Sequence, residues 1–288
     1  TTARTGRVCP PRRLMAVTRP SSREIPVTSR SGPVSTRPPA LRVVATRRSV
    51  IARASTHASC GNQAICEAGF QALVDTIKPG VRDNEVFAEA VRRIIALGGE
   101  HGGGNLSSGP DTWPKKQADL SDRIIRPGEV VYADFYNIGF NGYRSCYYRT
   151  FSCGKARQAT HDAYRRAVEN LYAVLDAIRP GATTADAARH FPDADGEYWD
   201  FYGAHTAWQM TTNHWGHGIG LSLYEIPLIW RGVSLDHPIV FEEGMTMAVE
   251  TQDRDGSQGV RVEEMVVVRR DGVELLSQWP VESITEIA

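Results

Sequence analysis

The sequence predicts an α+β domain with internal pseudo-twofold symmetry, on two observations. Helical patterns and strand patterns alternate in blocks, with a pair of helices and then strands, twice along the chain. Residues 74–81 (VDTIKPGV) also match residues 175–182 (LDAIRPGA) at an offset of 101 residues, and each copy ends one helix and leads into another. The competing interpretation is a chance match, because Pro-Gly pairs commonly stop helices.

Four helices are predicted from the spacing of apolar residues. In the first, apolar side chains recur so that they fall on one helix face, and Pro79-Gly80 ends it. The second ends at Gly98-Gly99, and the third closes at Arg179-Pro180-Gly181. The predicted helices cover residues 60–77, about 84–97, 156–178 and about 183–191.

The predicted strands are β-rich apolar runs bounded by Gly, Pro, Asn and Asp. The first two are joined by a turn at residues 139–142, and the chain ends in a hairpin that turns at Asp271-Gly272. The predicted strands cover residues 129–136, 143–151, 219–224, 245–251 and 259–268.

Composition indicates a soluble enzyme. The chain has 288 residues, of which 41% are hydrophobic and 23% charged, so it can bury a sizeable core. No run approaches eighteen apolar residues, which argues against a membrane span. Five irregularly spaced cysteines are interpreted as reduced thiols of a cytoplasmic protein rather than a disulfide framework.

Residues 1–55 form a basic leader that differs from the rest of the chain. They contain twelve arginines, no lysine and one acid, Glu24. They show no sustained hydrophobic period, so we expect them to be disordered and to carry no function. Three interpretations stay open: an organelle transit segment, a basic arm for nucleic acid, or non-native sequence. The catalytic domain is expected to cover residues 56–288.

Four residues stand out as candidate metal ligands. His217 lies in GHGIG (216–220), where glycines allow close backbone approach. Asp134, Glu250 and Glu263 each interrupt an apolar strand pattern, where a carboxylate needs a partner because unpaired burial is costly. Imidazole and carboxylates together suit a divalent metal ion.

The order and spacing of these residues resemble the pita-bread superfamily of methionine aminopeptidase, aminopeptidase P, prolidase and creatinase. The resemblance covers roughly residues 60–288. It implies a curved antiparallel sheet with helices outside, a site between two similar halves, and a homodimer. In the metallopeptidases of that superfamily, two Asp, one His and two Glu hold a pair of metal ions.

The chain departs from this pattern at Cys146. The resemblance places a bridging Asp three residues before Arg149-Thr150-Phe151, and here that residue is Cys146. Its thiolate could bind one divalent ion (Zn, Mn or Fe) with Asp134, His217, Glu250 and Glu263, and a second ion is not expected. Alternatively it is a nucleophile helped by a neighbouring His or Lys115, or an inert filler in a site without metal.

Further departures concern the histidines that serve the peptidases. Their places are taken here by Lys115, Asn213 and Tyr224. We expect Tyr224 and Lys115 to replace them as oxyanion or carboxylate contacts, and Asn213 to contact substrate. Arg149 and Arg261 either contact substrate or neutralise the acids, and Glu264 is expected to face solvent.

The leading hypothesis is a hydrolase of the Xaa-Pro aminopeptidase or creatinase type. It would cleave an amide or other C–N bond of a small amino-acid-like molecule or short peptide, with Glu250 as ligand or general base and His217 binding metal or moving a proton. The alternatives are a metal-free creatinase-like hydrolase, a lyase on a small cation (as in a dimethylsulfoniopropionate lyase of the superfamily), and a non-catalytic binding module. An aromatic loop at residues 198–215 could cage such a cation or simply pack. No nucleic-acid partner is expected, because the chain beyond the leader is acidic.

Overall fold

The computed structural model of the chain describes residues 60–100, 103–112, 121–190 and 215–288. The basic leader at 1–55 lies outside these residues, so its interpretation and the domain boundary at residue 56 stay predictions. Within them, no helix combines the length and the apolar character that crossing a bilayer requires. None of the four cysteines that are described is joined in a disulfide.

The four predicted helices are present and lie close to their predicted bounds. The largest difference is that the fourth ends three residues earlier, at Ala188. Thr183 caps it, because its hydroxyl accepts a hydrogen bond from the amide of Asp186 while the Asp186 carboxylate accepts from the amide of Thr183. The helices are α1 (60–76), α2 (Asp83–Ala96), α3 (Gln158–Ala177) and α4 (Thr184–Ala188), with a short helical turn α5 (Arg231–Ser234) and a 3-10 turn at Gly109–Thr112.

The described strands form two sheets: the first is built from strands of the first half of the chain and the C-terminal strand β9, and the second from strands of the second half. The first has the order β1-β2-β3-β9 and the second β5-β4-β6-β7-β8. All neighbouring strands are antiparallel except β3 and β9, which are parallel. The strands are β1 (Asn105–Ser108), β2 (Val130–Phe140), β3 (Tyr143–Cys153), β4 (Gly216–Gly218), β5 (Glu225–Ile229), β6 (Thr246–Arg254), β7 (Gly259–Arg269), β8 (Gly272–Leu275) and β9 (Thr285–Ile287).

The strand predicted at 219–224 is wrong. Those residues form the connection between β4 and β5, and the pairing register shifts between His217 and Gly218. A Cβ at Gly218 would lie 2.8 Å from the carbonyl oxygen of Ile226, so this close approach requires glycine. The shift ends regular pairing after Gly218, and β5 begins only at Glu225.

The repeat at 74–81 and 175–182 reflects a true structural duplication. Gly80 and Gly181 lie in the turns that follow α1 and α3, with φ values of +92° and +86°, which favour glycine. Equivalent backbone hydrogen bonds follow in each half. The partner just after the first helix is offset by 101 residues between the halves, and the partner further along the chain is offset by 116 residues. In the first half, the amide of Ile125 donates to Val81 O and the amide of Asp83 donates to Arg123 O, each at 2.9 Å. In the second half, the amide of Phe241 donates to Ala182 O and the amide of Thr184 donates to Ile239 O, each at 2.8 Å.

Each half has its own hydrophobic core. In the first, α1 and α2 pack on β1–β3 around Phe70, Phe135 and Phe151. In the second, α3 packs on β6 and β7 around Leu171 and Val262, and α4 packs against α3 and β5. A third, smaller cluster contains Cys146, residues of β6 and β7, and Ile219 directly after β4. It lies where the two sheets meet, which is where the sequence predicted the site.

Candidate active site

Three of the predicted metal ligands come together in a buried cluster. One ligand atom from each of Cys146, His217 and Glu263 lies within 4.8 Å of the other two. Cys146 comes from β3 of the first sheet, whereas His217 and Glu263 come from β4 and β7 of the second. The cluster therefore spans the junction of the two halves.

The ring of His217 is oriented by a backbone hydrogen bond. Its Nδ1 lies 2.9 Å from the carbonyl oxygen of Gly218, which can only accept, so Nδ1 carries the proton. The lone pair of the ring is then on Nε2, the atom that would bind a metal ion. Such a backbone contact is the usual way in which proteins fix the tautomer of a metal-binding histidine.

Asp134 and Glu250 flank the cluster, and each accepts a hydrogen bond from a buried tyrosine. The hydroxyl of Tyr132 donates to Oδ2 of Asp134 at 2.9 Å, and the hydroxyl of Tyr148 donates to Oε2 of Glu250. Burial, followed by the charge of the adjacent carboxylate, raises the pKa of both tyrosines well above the usual value. Both phenols therefore stay protonated and act as donors.

The donor set fits a divalent metal ion. Burial raises the pKa of the Cys146 thiol well above its usual value, and the charges of Glu263, Asp134 and Glu250 raise it further. A cation bound among these groups reverses that balance, because coordination stabilises the thiolate. One sulfur, one imidazole nitrogen and one carboxylate are ligands that Zn²⁺ accepts in proteins.

Tyr224 lies beside the cluster, at the position where the family resemblance implies a catalytic histidine. Its ring makes an edge-on contact with the ring of His217, with 4.7 Å between centroids. Tyr224 is 54% exposed, so it stands at the boundary between the cluster and solvent. Burial of part of its side chain raises the pKa of its hydroxyl, and electrostatic interaction with Cys146 and Glu250 acts in the same direction.

The expectation for Glu264 on β7 is wrong, and of the two alternatives for Arg149 on β3 the structure favours neutralisation of an acid over contact with substrate. Glu264 does not face solvent: it is 2% exposed and pairs with Arg149, whose Nη2 lies 2.6 Å from Oε1. Arg149 points to the face of β3 opposite Cys146 and is 1% exposed, so it neutralises Glu264 and does not line the site. The reason is that the sheet is covered on both faces, so the outward face of β7 is core rather than surface.

Arg261 lies on the same face of β7 as Glu263. Its guanidinium carbon is 5.4 Å from the centroid of the Tyr132 ring, which itself bonds Asp134. This position is compatible with either predicted role, contact with substrate or neutralisation of the acids. Lys115, Asn213 and the aromatic residues at 198–208 lie outside the described residues, and the roles predicted for them stay predictions.

The sequence reasoning missed Tyr132 and Tyr148. Both could have been found from strand alternation, because side chains two residues apart point to the same face. Tyr132 is two residues before Asp134, and Tyr148 is two residues after Cys146. Aromatic residues in strands are common in cores, which is why neither attracted attention.

Comparison with known proteins agrees with this geometry. The model of metallopeptidase family M24 matches residues 62–270. A probable dipeptidase PepE of Mycobacterium tuberculosis is 30% identical over 210 residues, which are 72% of this chain and 52% of that protein. A methionine aminopeptidase of Treponema pallidum is 27% identical over 241 residues, which are 73% of this chain and 88% of that protein. The chain thus spans about half the length of the first of these relatives.

Solved structures confirm the predicted pita-bread fold. Dipeptidase PepE from Mycobacterium ulcerans superposes with a TM-score of 0.68 at 24% identity, covering 86% of this chain and 65% of that one. X-Pro aminopeptidase from Thermotoga maritima gives 0.67 at 22% identity, covering 82% and 63%. Prolidase from Pyrococcus furiosus gives 0.67 at 21% identity, covering 82% and 68%.

Proposed function

This chain belongs to metallopeptidase family M24, and we propose that it is a hydrolase that cleaves an amide or another C–N bond in a short peptide or a small amino-acid-like molecule. The observation that carries the proposal is the buried set of Cys146, His217 and Glu263, with Asp134 and Glu250 beside it. Relatives named dipeptidase and Xaa-Pro dipeptidase support the same class of substrate.

The proposed cofactor is one divalent metal ion held by Cys146, His217 and Glu263. A thiolate favours Zn²⁺ or Fe²⁺ over Mn²⁺, which prefers oxygen ligands. A single ion is proposed because Cys146 replaces the carboxylate that bridges two ions in the relatives. The hydrogen bonds from Tyr132 and Tyr148 also engage one oxygen each of Asp134 and Glu250.

When bound, the ion would polarise the scissile carbonyl group and make water more acidic. Glu250 is oriented by Tyr148 and would take a proton from the attacking water and return it to the leaving nitrogen. Tyr224, at the edge of the cluster, would donate a hydrogen bond to the developing oxyanion. Arg261 would bind a substrate carboxylate, as its charge allows.

The decisive experiment combines metal analysis with a substrate panel. Purified full-length protein is expected to contain about one metal ion per chain and to hydrolyse dipeptides, Xaa-Pro dipeptides among them. Chelation should abolish turnover and a divalent ion should restore it. Protein that takes up no ion and hydrolyses no member of the panel, even with added Zn²⁺, Mn²⁺ or Fe²⁺, would refute the proposal.

The same experiment separates the alternatives. Turnover that resists chelation would favour a metal-free acid–base set of His217, Glu250 and Glu263. Release of an unsaturated product without uptake of water would favour a lyase. Ligand binding without turnover of any kind would favour a binding module.

The cysteines support the proposed location, and the family resemblance supports the proposed oligomeric state. The free thiols of the described cysteines support a cytoplasmic location. The resemblance to pita-bread enzymes supports a homodimer, which sedimentation of the purified protein would test. Residues 56–288 are proposed as the catalytic unit.

A further inference from the structure

The two strands that carry Cys146 and Glu263 lie side by side but belong to different sheets. Within each sheet, the backbone ladder fixes which residues stand opposite each other. Among the described residues, no ladder pairing joins β3 to β7. The distance between Cys146 and Glu263 must therefore be set by other contacts.

Side chains form hydrogen bonds with one backbone edge of β7, and those of Thr150 and Arg149 come from β3. Every second residue from Gly259 to Met265 turns an amide or carbonyl group away from β6, and side chains satisfy these groups. The amides of Gly259, Arg261 and Met265 donate to the hydroxyls of Thr112, Thr150 and Ser277, respectively. The carbonyl oxygen of Arg261 accepts from the Thr150 hydroxyl, and that of Glu263 accepts from Arg149.

Thr150 makes the most complete of these contacts between the two halves. Its hydroxyl donates to the carbonyl oxygen of Arg261 and accepts from the amide of Arg261, each at 2.8 Å. The pair mimics the two bonds that a neighbouring strand would supply. Thr150 is four residues after Cys146, and Arg261 is two residues before Glu263, so this contact fixes the register of the two ligand-bearing strands.

Arg149 holds the same junction from the opposite face. Its Nη1 donates to the carbonyl oxygens of Glu263 and Tyr148, and its Nη2 donates to Glu264 and to the carbonyl oxygen of Trp279. One buried guanidinium thus joins the backbone of a ligand on β7 to the backbone of the tyrosine on β3 that bonds Glu250. The four acceptors leave the group little freedom to shift.

We propose that Thr150, assisted by Arg149, is a positioning residue that brings Cys146 to within bonding reach of the ion held by His217 and Glu263. The inference rests on the proposed metal site. It goes beyond it because neither residue touches the ion or the substrate. Loss of the Thr150 hydroxyl should let β3 and β7 slide, which would weaken metal binding without removing a ligand.

The test compares Zn²⁺ affinity, by competition with a chromogenic chelator, in Thr150→Val, Thr150→Ser and Thr251→Val. Thr150→Val keeps the shape but removes both bonds, and should weaken binding by about tenfold or more. Thr150→Ser keeps the hydroxyl and should stay within about twofold of wild type. Thr251 is the matched control, because it is equally buried and its hydroxyl donates to the carbonyl oxygen of Ala167 in α3, away from the junction.

Equal affinity in wild type and Thr150→Val, or an equal loss in Thr251→Val, would overturn the proposal. If Thr150→Val does not fold, Arg149→Lys takes its place, because it keeps the charge beside Glu264 but cannot reach all four acceptors. If wild type binds no Zn²⁺, the proposed function loses its metal, and crystal structures of wild type and Thr150→Val decide instead. An increase of about 0.5 Å or more in the distance between the Cys146 sulfur and the Glu263 carboxylate in Thr150→Val would support the positioning role. An unchanged distance would overturn it.

Discussion

Tyr148 donates a hydrogen bond to Glu250 across the junction of the two sheets. Tyr148 stands on β3 directly opposite Asp134, whereas Glu250 stands on β6 directly opposite Glu263. A phenol of the first half thus orients the proposed general base of the second. Because the bond crosses between halves, the base is aligned only when the halves are correctly joined.

Tyr148→Phe should lower kcat by about tenfold or more while KM changes little. The substitution removes the donor that orients Glu250 but keeps the buried ring. Tyr147→Phe is the control, because Tyr147 is also buried but points to the opposite face, where its hydroxyl contacts Glu67. Steady-state kinetics on both variants checks the prediction, and similar kcat values in the two variants would contradict it.

Glu263→Gln should abolish turnover and weaken metal binding by more than tenfold, since an amide is a poorer ligand than a carboxylate of the same size. Glu243→Gln, at an exposed position of the same half, should behave as wild type. Glu264 would be an unsuitable control because it pairs with buried Arg149, so its loss disturbs folding. Isothermal titration with Zn²⁺ on the folded variants measures the effect, and retention of wild-type affinity in Glu263→Gln would exclude Glu263 as a ligand.

Cys146→Ser distinguishes a ligand from a nucleophile or an inert side chain. If the thiolate binds the ion, the serine variant should lose metal and activity together, because a hydroxyl is a weaker ligand at neutral pH. Loss of activity with full metal content would indicate a nucleophile, and wild-type behaviour an inert residue. Cys146→Asp restores a carboxylate and is expected to bind metal again, with occupancy above one ion per chain if bridging returns.

Asp255 should stabilise the second half in a pH-dependent way. Burial favours a higher pKa for Asp255, but hydrogen bonds from the Thr160 hydroxyl and from the amides of Gln258 and Ser257 outweigh it and lower the pKa. Because the folded pKa lies below the unfolded value of about 3.9, the stabilisation is present above pH 4 and is lost as the pH falls through the folded pKa. Asp255→Asn should therefore reduce the free energy of unfolding by about 1 to 3 kcal/mol at pH 7.

The difference between wild type and Asp255→Asn should shrink below about pH 4, which thermal unfolding at several pH values can measure. Asp271→Asn is the control, because Asp271 is exposed in the turn between β7 and β8. A difference that stays constant from pH 7 to pH 3 would argue against a lowered pKa at Asp255.

The helices were predictable because they depend on local pattern, whereas the grouping of Cys146 with His217 and Glu263 was expected only from the family resemblance. Apolar spacing and the stops at Gly80 and Gly181 place α1 and α3 to within two residues. The absent strand at 219–224 was not predictable, because β-type composition does not reveal a shift in register at Gly218. The burial of Glu264 was missed for a similar reason, since alternation gives the face of a strand but not what covers that face.

The duplication has left the two halves chemically unequal. By register, Asp134 is the counterpart of Glu250, but Tyr148 is the counterpart of Glu263 and Ser107 the counterpart of His217. In the proposed site, the second half would supply two of the three ligands, His217 and Glu263, whereas the first would supply Cys146 and the hydroxyls of Tyr132 and Tyr148 that bond Asp134 and Glu250.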